Sequence, residues 1–326
     1  MFICCHTYSL SNKKSFLHQY IKSNTKSDLK SDLKSDKQAN KLISSSAEQK
    51  IIFLKSNKTI SIHRNYYKNN NWRLKYYSDN VFDKSIDIIS NEDVIKNQDI
   101  CRMLFGKKRK KLINITPGGI YGFYDAGISK VIRDNFDLDD CVFSGASAGS
   151  WNSLFMVYKH NNHEEVMDRV FDINLHKPGS IKNLQLRLKE KILNHYTTDD
   201  FELDKLFVSV CVYSHYSFEN YIYTDFTSLE EAIDCCIASS NIPLLTGDFV
   251  FRYKDKISFD GGFLSNPHVI LLKPVFTINH GIWGKNKFFT SLFNSANTNL
   301  KHIYIEGQTD TMDNIDMLNK IFGKTK

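Results

Sequence analysis

The pattern of apolar and polar positions changes character twice along this chain. Residues 6–50 show neither a helical nor a strand period; Lys30-Ser31-Asp32-Leu33 repeats the preceding Lys26-Ser27-Asp28-Leu29 among many Ser, Lys and Asn residues. So little apolar material has nothing to bury, and a disordered tail is predicted over 1–50. From Ile51 to Tyr77 apolar and β-prone residues become frequent, which predicts two or three short strands in an N-terminal extension. The run Lys107-Lys108-Arg109-Lys110-Lys111 then marks a boundary and closes that extension, 51–111.

Beyond it, short apolar runs alternate with amphipathic stretches. Leu112 to Ile115 reads as a buried strand, and Tyr121 to about Asn135 as a helix with Ile128, Val131 and Ile132 turned inward. A strand around Val142, a helix from Ser150 to about His160, a helix capped by Asn162 and another through Leu184, Leu188, Ile192 and Tyr196 follow. Leu206 to Tyr213 and Tyr221 to Thr224 are predicted strands. The helix after Ser228 shares its N-cap between Thr227 and Ser228 and ends near Ser240. Phe249 to Phe259 reads as a hairpin, His302 to Ile305 as a strand, and the tail as a helix capped by Asp310 with Ile315, Leu318 and Phe322 inward. The alternation predicts an α/β fold: a mostly parallel central sheet with helices on both faces, preceded by a low-complexity basic extension. Residues 112–273 form its main body, and 274–326 complete it with a C-terminal strand and helix.

Composition narrows the class. The 326 residues are 41% hydrophobic and 24% charged, as in soluble proteins. No run approaches the 18 or so apolar residues of a membrane span, and no secretory signal is recognisable at the N-terminus. The expected location is cytoplasmic or peripheral to a membrane. Seven cysteines without metal-like spacing predict buried thiols in a reducing compartment and no metal or other cofactor. Charge is uneven: residues 1–111 hold 23 Lys/Arg and 10 Asp/Glu, net +13, against −6 for the remainder of a chain whose total is +7. The expected partner of the basic third is an anionic membrane surface rather than nucleic acid; a merely solvated tail is the alternative.

Three glycine-marked turns each follow a predicted strand. Cys141-Val142-Phe143-Ser144-Gly145-Ala146-Ser147-Ala148-Gly149-Ser150 places G-x-S-x-G between strand and helix, the context of a nucleophile elbow. The N–H groups that open the helix after Ser147, from Ala148 on, and the helix dipole favour the anion that forms when an ester is attacked. Pro117-Gly118-Gly119-Ile120-Tyr121-Gly122 presents further backbone N–H groups, and Asp260-Gly261-Gly262 supplies a carboxylate able to take a serine proton. Such strand ends meet in one crevice of an open α/β sheet.

These stretches resemble the patatin-like phospholipases over about 112–273. Ile115 to Gly127 is similar to the family's glycine-rich oxyanion turn and the helix after it, Phe143 to Ser150 to its nucleophile turn. Ala238-Ser239-Ser240-Asn241-Ile242-Pro243 with Phe259 to Pro267 resembles its Ala-Ser…Pro segment and Asp-Gly-Gly motif. The resemblance leans toward the adiponutrin-type branch, whose oxyanion turn likewise lacks a basic residue where Tyr121 stands. It implies a lipid acyl hydrolase acting on phospholipid or acylglycerol through a Ser147–Asp260 dyad, with Gly118, Gly119 and Ala148 as oxyanion donors. One departure is Pro117, which stands at the first glycine of the usual turn and has no N–H. Two alternatives stay open: a catalytically silent lipid-binding or scaffold protein of the same fold, and a Ser-His-Asp hydrolase using His268, His280 or His302.

Overall fold

The computed structural model describes residues 48–55, 58–65, 72–78, 81–86, 110–171, 180–214, 217–264, 273–283 and 299–325. The tail expected over 1–50 falls almost wholly outside the described residues. The remainder, from Glu48 on, is one unit built on a single mixed sheet.

Four adjacent strands at one end of the sheet run parallel. They are β5 (Lys111–Ile115), β6 (Cys141–Ala146), β7 (Leu206–Ser214) and β11 (Pro274–Ile278), in the order β11-β5-β6-β7. Every residue of β6 is buried, and Leu112, Ile113, Phe143, Leu206, Phe207 and Val208 put the core here. Strand β8 (Ser217–Tyr223) turns back antiparallel on β7. Next to it β1 (Glu48–Lys55) runs parallel to β8, and β2 (Lys58–Asn65), β3 (Trp72–Ser78) and β4 (Val81–Ile86) extend the sheet antiparallel. The stretch with predicted strands therefore carries β1 to β3, and its backbone continues the sheet of the main body.

A short hairpin, β9 (Phe251–Tyr253) and β10 (Lys256–Phe259), completes the set. Its two turn residues, Lys254 and Asp255, both have positive φ, the geometry that matches the twist of a two-residue hairpin.

The helices follow the predicted amphipathic stretches closely. They are α1 (Gly122–Asn135), α2 (Ala148–Met156), α3 (His163–Phe171), α4 (Ser180–Leu193) and α5 (Leu229–Ser239). At the start of α5, Ser228 Oγ accepts from Glu231 N at 3.1 Å, and the Glu231 carboxylate accepts from Thr227 N and Oγ1 at 2.8 Å each. The shared cap is thus present.

The C-terminal expectation needs correction. His302 to Ile305 is not a strand; it lies within α6 (Leu300–Asp313), which is followed by α7 (Ile315–Phe322). Asn299 caps α6 through Oδ1, which accepts from His302 N at 3.1 Å. Ile303, Tyr304, Gly307, Asp310 and Thr311 form its buried face at helical spacing. Asp310 is no cap: it sits inside α6 and accepts a buried bond from Tyr124 Oη at 2.7 Å. The β-prone run was overridden by this packing against α1. Among the described residues no helix is long and apolar enough to cross a membrane.

Candidate active site

Strand β7 brings the two candidate catalytic side chains together. On one of its edges, β6 runs parallel and ends with Ala146 opposite Ser209. Further along, β10 pairs antiparallel with β7 and ends with Phe259 opposite Cys211. The two strands therefore point at each other, with only Val210 of β7 between their partner positions, roughly 7 Å at strand spacing. Ser147 is the first residue past one tip and Asp260 the first past the other. Their meeting is dictated by register.

The turn after β6 is strained where it matters. Ser147 has φ 55° and ψ −130°, a conformation that side-chain-bearing residues rarely adopt. Gly145 and Gly149 make that turn possible: a Cβ on Gly145 would land on the Gly149 carbonyl, and one on Gly149 on the Ile115 carbonyl. Ser147 is 7% exposed. Its N–H donates to Ser239 Oγ at 2.9 Å, and Ser239 Oγ donates to Ser209 O at 2.7 Å. At the start of α2, Ser150 N and Oγ both donate to Ser147 O.

The same segment holds the carboxylate. Gly261 N donates to Ser239 O at 2.7 Å and Asp260 N to Asn241 O at 2.8 Å, while Asn241 Nδ2 donates to Ser258 O at 3.1 Å. Ser239 and Asn241 thus fasten the Asp260 turn to the Ser147 turn. They lie in the Ala238–Pro243 segment, for which the sequence suggested no role; a polar run directly after an apolar helix was the available signal.

Asp260 Oδ1 accepts from Gly262 N at 2.8 Å. Oδ2 is sealed from water and has no partner at hydrogen-bonding distance, although the residue as a whole is only half-buried. Burial pushes the carboxyl up to about 6, with the Ser147 hydroxyl and the Gly262 amide pulling the other way.

Gly119 has φ 55° and opens a short 3-10 turn that leads into α1. Asn152 Nδ2 donates to Gly122 O at 2.8 Å and ties that turn to α2. Gly119, Ser147 and Ala148 border one cavity; Gly118 lies one residue before it, where a Cβ would come within 3.0 Å of Asp125 Oδ2. Asp125 is buried with neither carboxyl oxygen bonded, and burial pushes its carboxyl well above the usual carboxylate range. Nothing in the sequence marked it.

The cavity that starts at Ser147 is walled almost wholly by carbon. Trp151, Leu154, Phe155 and Tyr158 line it from the α2 side, and Val166 and Leu188 face them from α3 and α4. It follows α2 for its nine residues, roughly 14 Å at about 1.5 Å per residue. Tyr158, Tyr196 and Phe201 close the far end, with Tyr158 5.2 Å from each of the other two rings. Sequence reasoning did not foresee this cavity, because its walls come from four separate helices.

His302 is exposed on α6, His280 stacks on Tyr121 with ring centroids 5.4 Å apart, and His268 lies outside the described residues. Cys141, Cys211, Cys235 and Cys236 are free and buried. Among the described residues no cluster of His, Cys, Asp or Glu is arranged to hold a metal ion.

A mixed α/β sheet with a strained serine at a strand–helix elbow, facing a sealed carboxylate, is the framework on which serine-dependent hydrolases are built. Residues 118–272 match a family model described as patatin-like phospholipase. A search of curated proteins finds no match. Among solved structures, the chain is similar to one from the heterodimeric ExoU–SpcU complex of the type III secretion system of Pseudomonas aeruginosa. That similarity has 9% identity and a TM-score of 0.33, and covers 91% of this chain and 61% of that one.

Proposed function

We propose that this protein is a lipid acyl hydrolase that cleaves an acyl ester through Ser147 and Asp260. The observation that carries the reading is the head-to-head placement of the two residues on one edge of β7, with Ser147 bordering a carbon-walled cavity. Ser147 Oγ attacks the ester carbonyl and its proton passes to Asp260. The oxyanion is held by the amides of Gly118, Gly119 and Ala148; the last belongs to the first turn of α2, whose N–H groups have no intrahelical acceptor. The Ser147 amide is already bonded to Ser239 and is not a donor. Collapse of the intermediate expels the alcohol, which takes the proton from Asp260. A water, deprotonated by the same carboxylate, then releases the acid from the acyl-enzyme.

The cavity supports an acyl chain as the part of the substrate that is bound, in keeping with phospholipid or acylglycerol. The absence of a basic side chain at Tyr121 supports a place in the adiponutrin-type branch. The net +13 of residues 1–111 supports contact with an anionic membrane surface, which sedimentation with anionic vesicles across a salt series tests.

The direct experiment is a lipid panel assayed with wild type, Ser147→Ala and Asp260→Asn. Both variants should lose at least 10³-fold in kcat, as loss of a nucleophile or its base does in serine hydrolases, with circular dichroism unchanged. Near-wild-type turnover in either would refute the dyad. His268→Ala, His280→Ala and His302→Ala should keep most activity; a collapse in one of them would favour a triad.

A further inference from the structure

The loop between α5 and β9 carries an exposed apolar cluster that packing does not explain. Of the eight exposed large hydrophobics among the described residues, three fall within 241–250: Leu244 at 74%, Leu245 at 39% and Val250 at 49%. Leu244 also has φ 66°, the left-handed region. A bulky residue there bears a steric cost, and its exposure forgoes the burial that would offset it. Asparagine or glycine would satisfy that backbone more cheaply.

The loop is not loose. Leu245 N and Thr246 N both donate to Ile242 O at 3.0 Å, and Ile242 N donates to Thr246 Oγ1 at 2.7 Å. Thr246 Oγ1 in turn donates to Ser240 O. The backbone is thus anchored to the segment that fastens Ser147 to Asp260, while both leucines stay exposed. Ile242 and Thr246 line the cavity, so Leu244 and Leu245 sit on its rim, between two of its lining residues in sequence. Asp248 is the one charged residue in 241–250, so the cluster has no electrostatic claim on an anionic surface.

We infer that Leu244, Leu245 and Val250 form an insertion tip that enters the acyl region of a lipid–water interface and seats the cavity mouth on it. An acyl chain would then pass from the lipid layer to Ser147 without crossing water. The partner is an uncharged or zwitterionic lipid surface. The inference rests on the acyl-ester reading of the site, but its test needs no turnover.

Full-length Ser147→Ala protein is sedimented with phosphatidylcholine vesicles, alone and with Leu244→Asn, Leu245→Ser or both added. Burial of a part-exposed leucine predicts roughly tenfold weaker binding for each substitution and about a hundredfold for the pair. Because asparagine tolerates positive φ, Leu244→Asn should leave Tm unchanged or raise it. In an otherwise wild-type chain the pair should leave hydrolysis of a soluble monomeric ester unchanged. Vesicle binding by the pair equal to the parent overturns the inference, and so does a fall in Tm for Leu244→Asn, which would mean that the side chain packs. Binding that requires anionic lipid and vanishes with salt also overturns it, since docking would then belong to the basic residues.

Discussion

Asp260, the proposed base, bears a cost to stability. Its carboxyl is raised to about 6 because Oδ2 is sealed, with only the Gly262 amide and the Ser147 hydroxyl to oppose burial. A base works ionised, so kcat/KM should rise with pH through an acid limb near 6 and hold above it. Stability has the opposite sign. Below about 4 the carboxyl is protonated both folded and unfolded, and the site bears no penalty. As pH rises from there through 6 the unfolded chain ionises first, the folded state is disfavoured, and the loss reaches at most about 3 kcal/mol. Asp260→Asn should therefore be inactive yet more stable than wild type at pH 8, with the gain vanishing near pH 4; urea unfolding at the two pH values checks this. A variant less stable at pH 8 would mean that the carboxylate is held by partners that outweigh its burial.

At the scale of elements, much of the site was legible. Ser147 and Asp260 stand at strand ends marked by glycine, and apolar periodicity placed most of the helices near their true bounds. What was not legible is pairing. The sequence predicts Asp260 at the end of a hairpin strand but not which strand that hairpin pairs with. In fact β10 runs against β7 and meets β6 tip to tip, and register between distant strands leaves no local trace. The His302-Ile303-Tyr304-Ile305 run misled for a related reason: its β-propensity was outweighed by contact with α1, which only the folded chain supplies. That contact is unusually close. A Cβ on Gly127 would fall on the Tyr304 carbonyl, and one on Gly307 on the Tyr124 carbonyl, backbone atoms that cannot rotate away. Gly127→Ala should force α1 and α6 apart and cost about 1–3 kcal/mol, as overpacking does. A denaturation midpoint equal to wild type would show that the crossing is slack.

At the scale of the molecule, sheet, cavity and rim line up on a single function. The parallel strands β5 and β6 lead into the Gly118–Gly119 turn and Ser147, and the hairpin returns Asp260. The four helices α1 to α4 wall a carbon-lined space, and the loop after α5 carries leucines on its mouth. The backbone of 48–86 continues the same sheet through β1 and β8, so a deletion meant to probe the basic N-terminal segment should stop before Glu48. Residues 1–47 alone hold eight Lys and three Asp, net +5. The claim on which everything else depends is that Ser147 is an activated nucleophile at the mouth of this cavity. Intact-mass measurement after exposure to a long-chain alkyl fluorophosphonate tests it most directly, because serine attack on phosphorus expels fluoride and leaves a stable adduct. Wild type should gain the mass of one adduct, located to Ser147 by peptide mapping, and Ser147→Ala should gain none. An adduct that persists in Ser147→Ala, or none in wild type, would contradict the account.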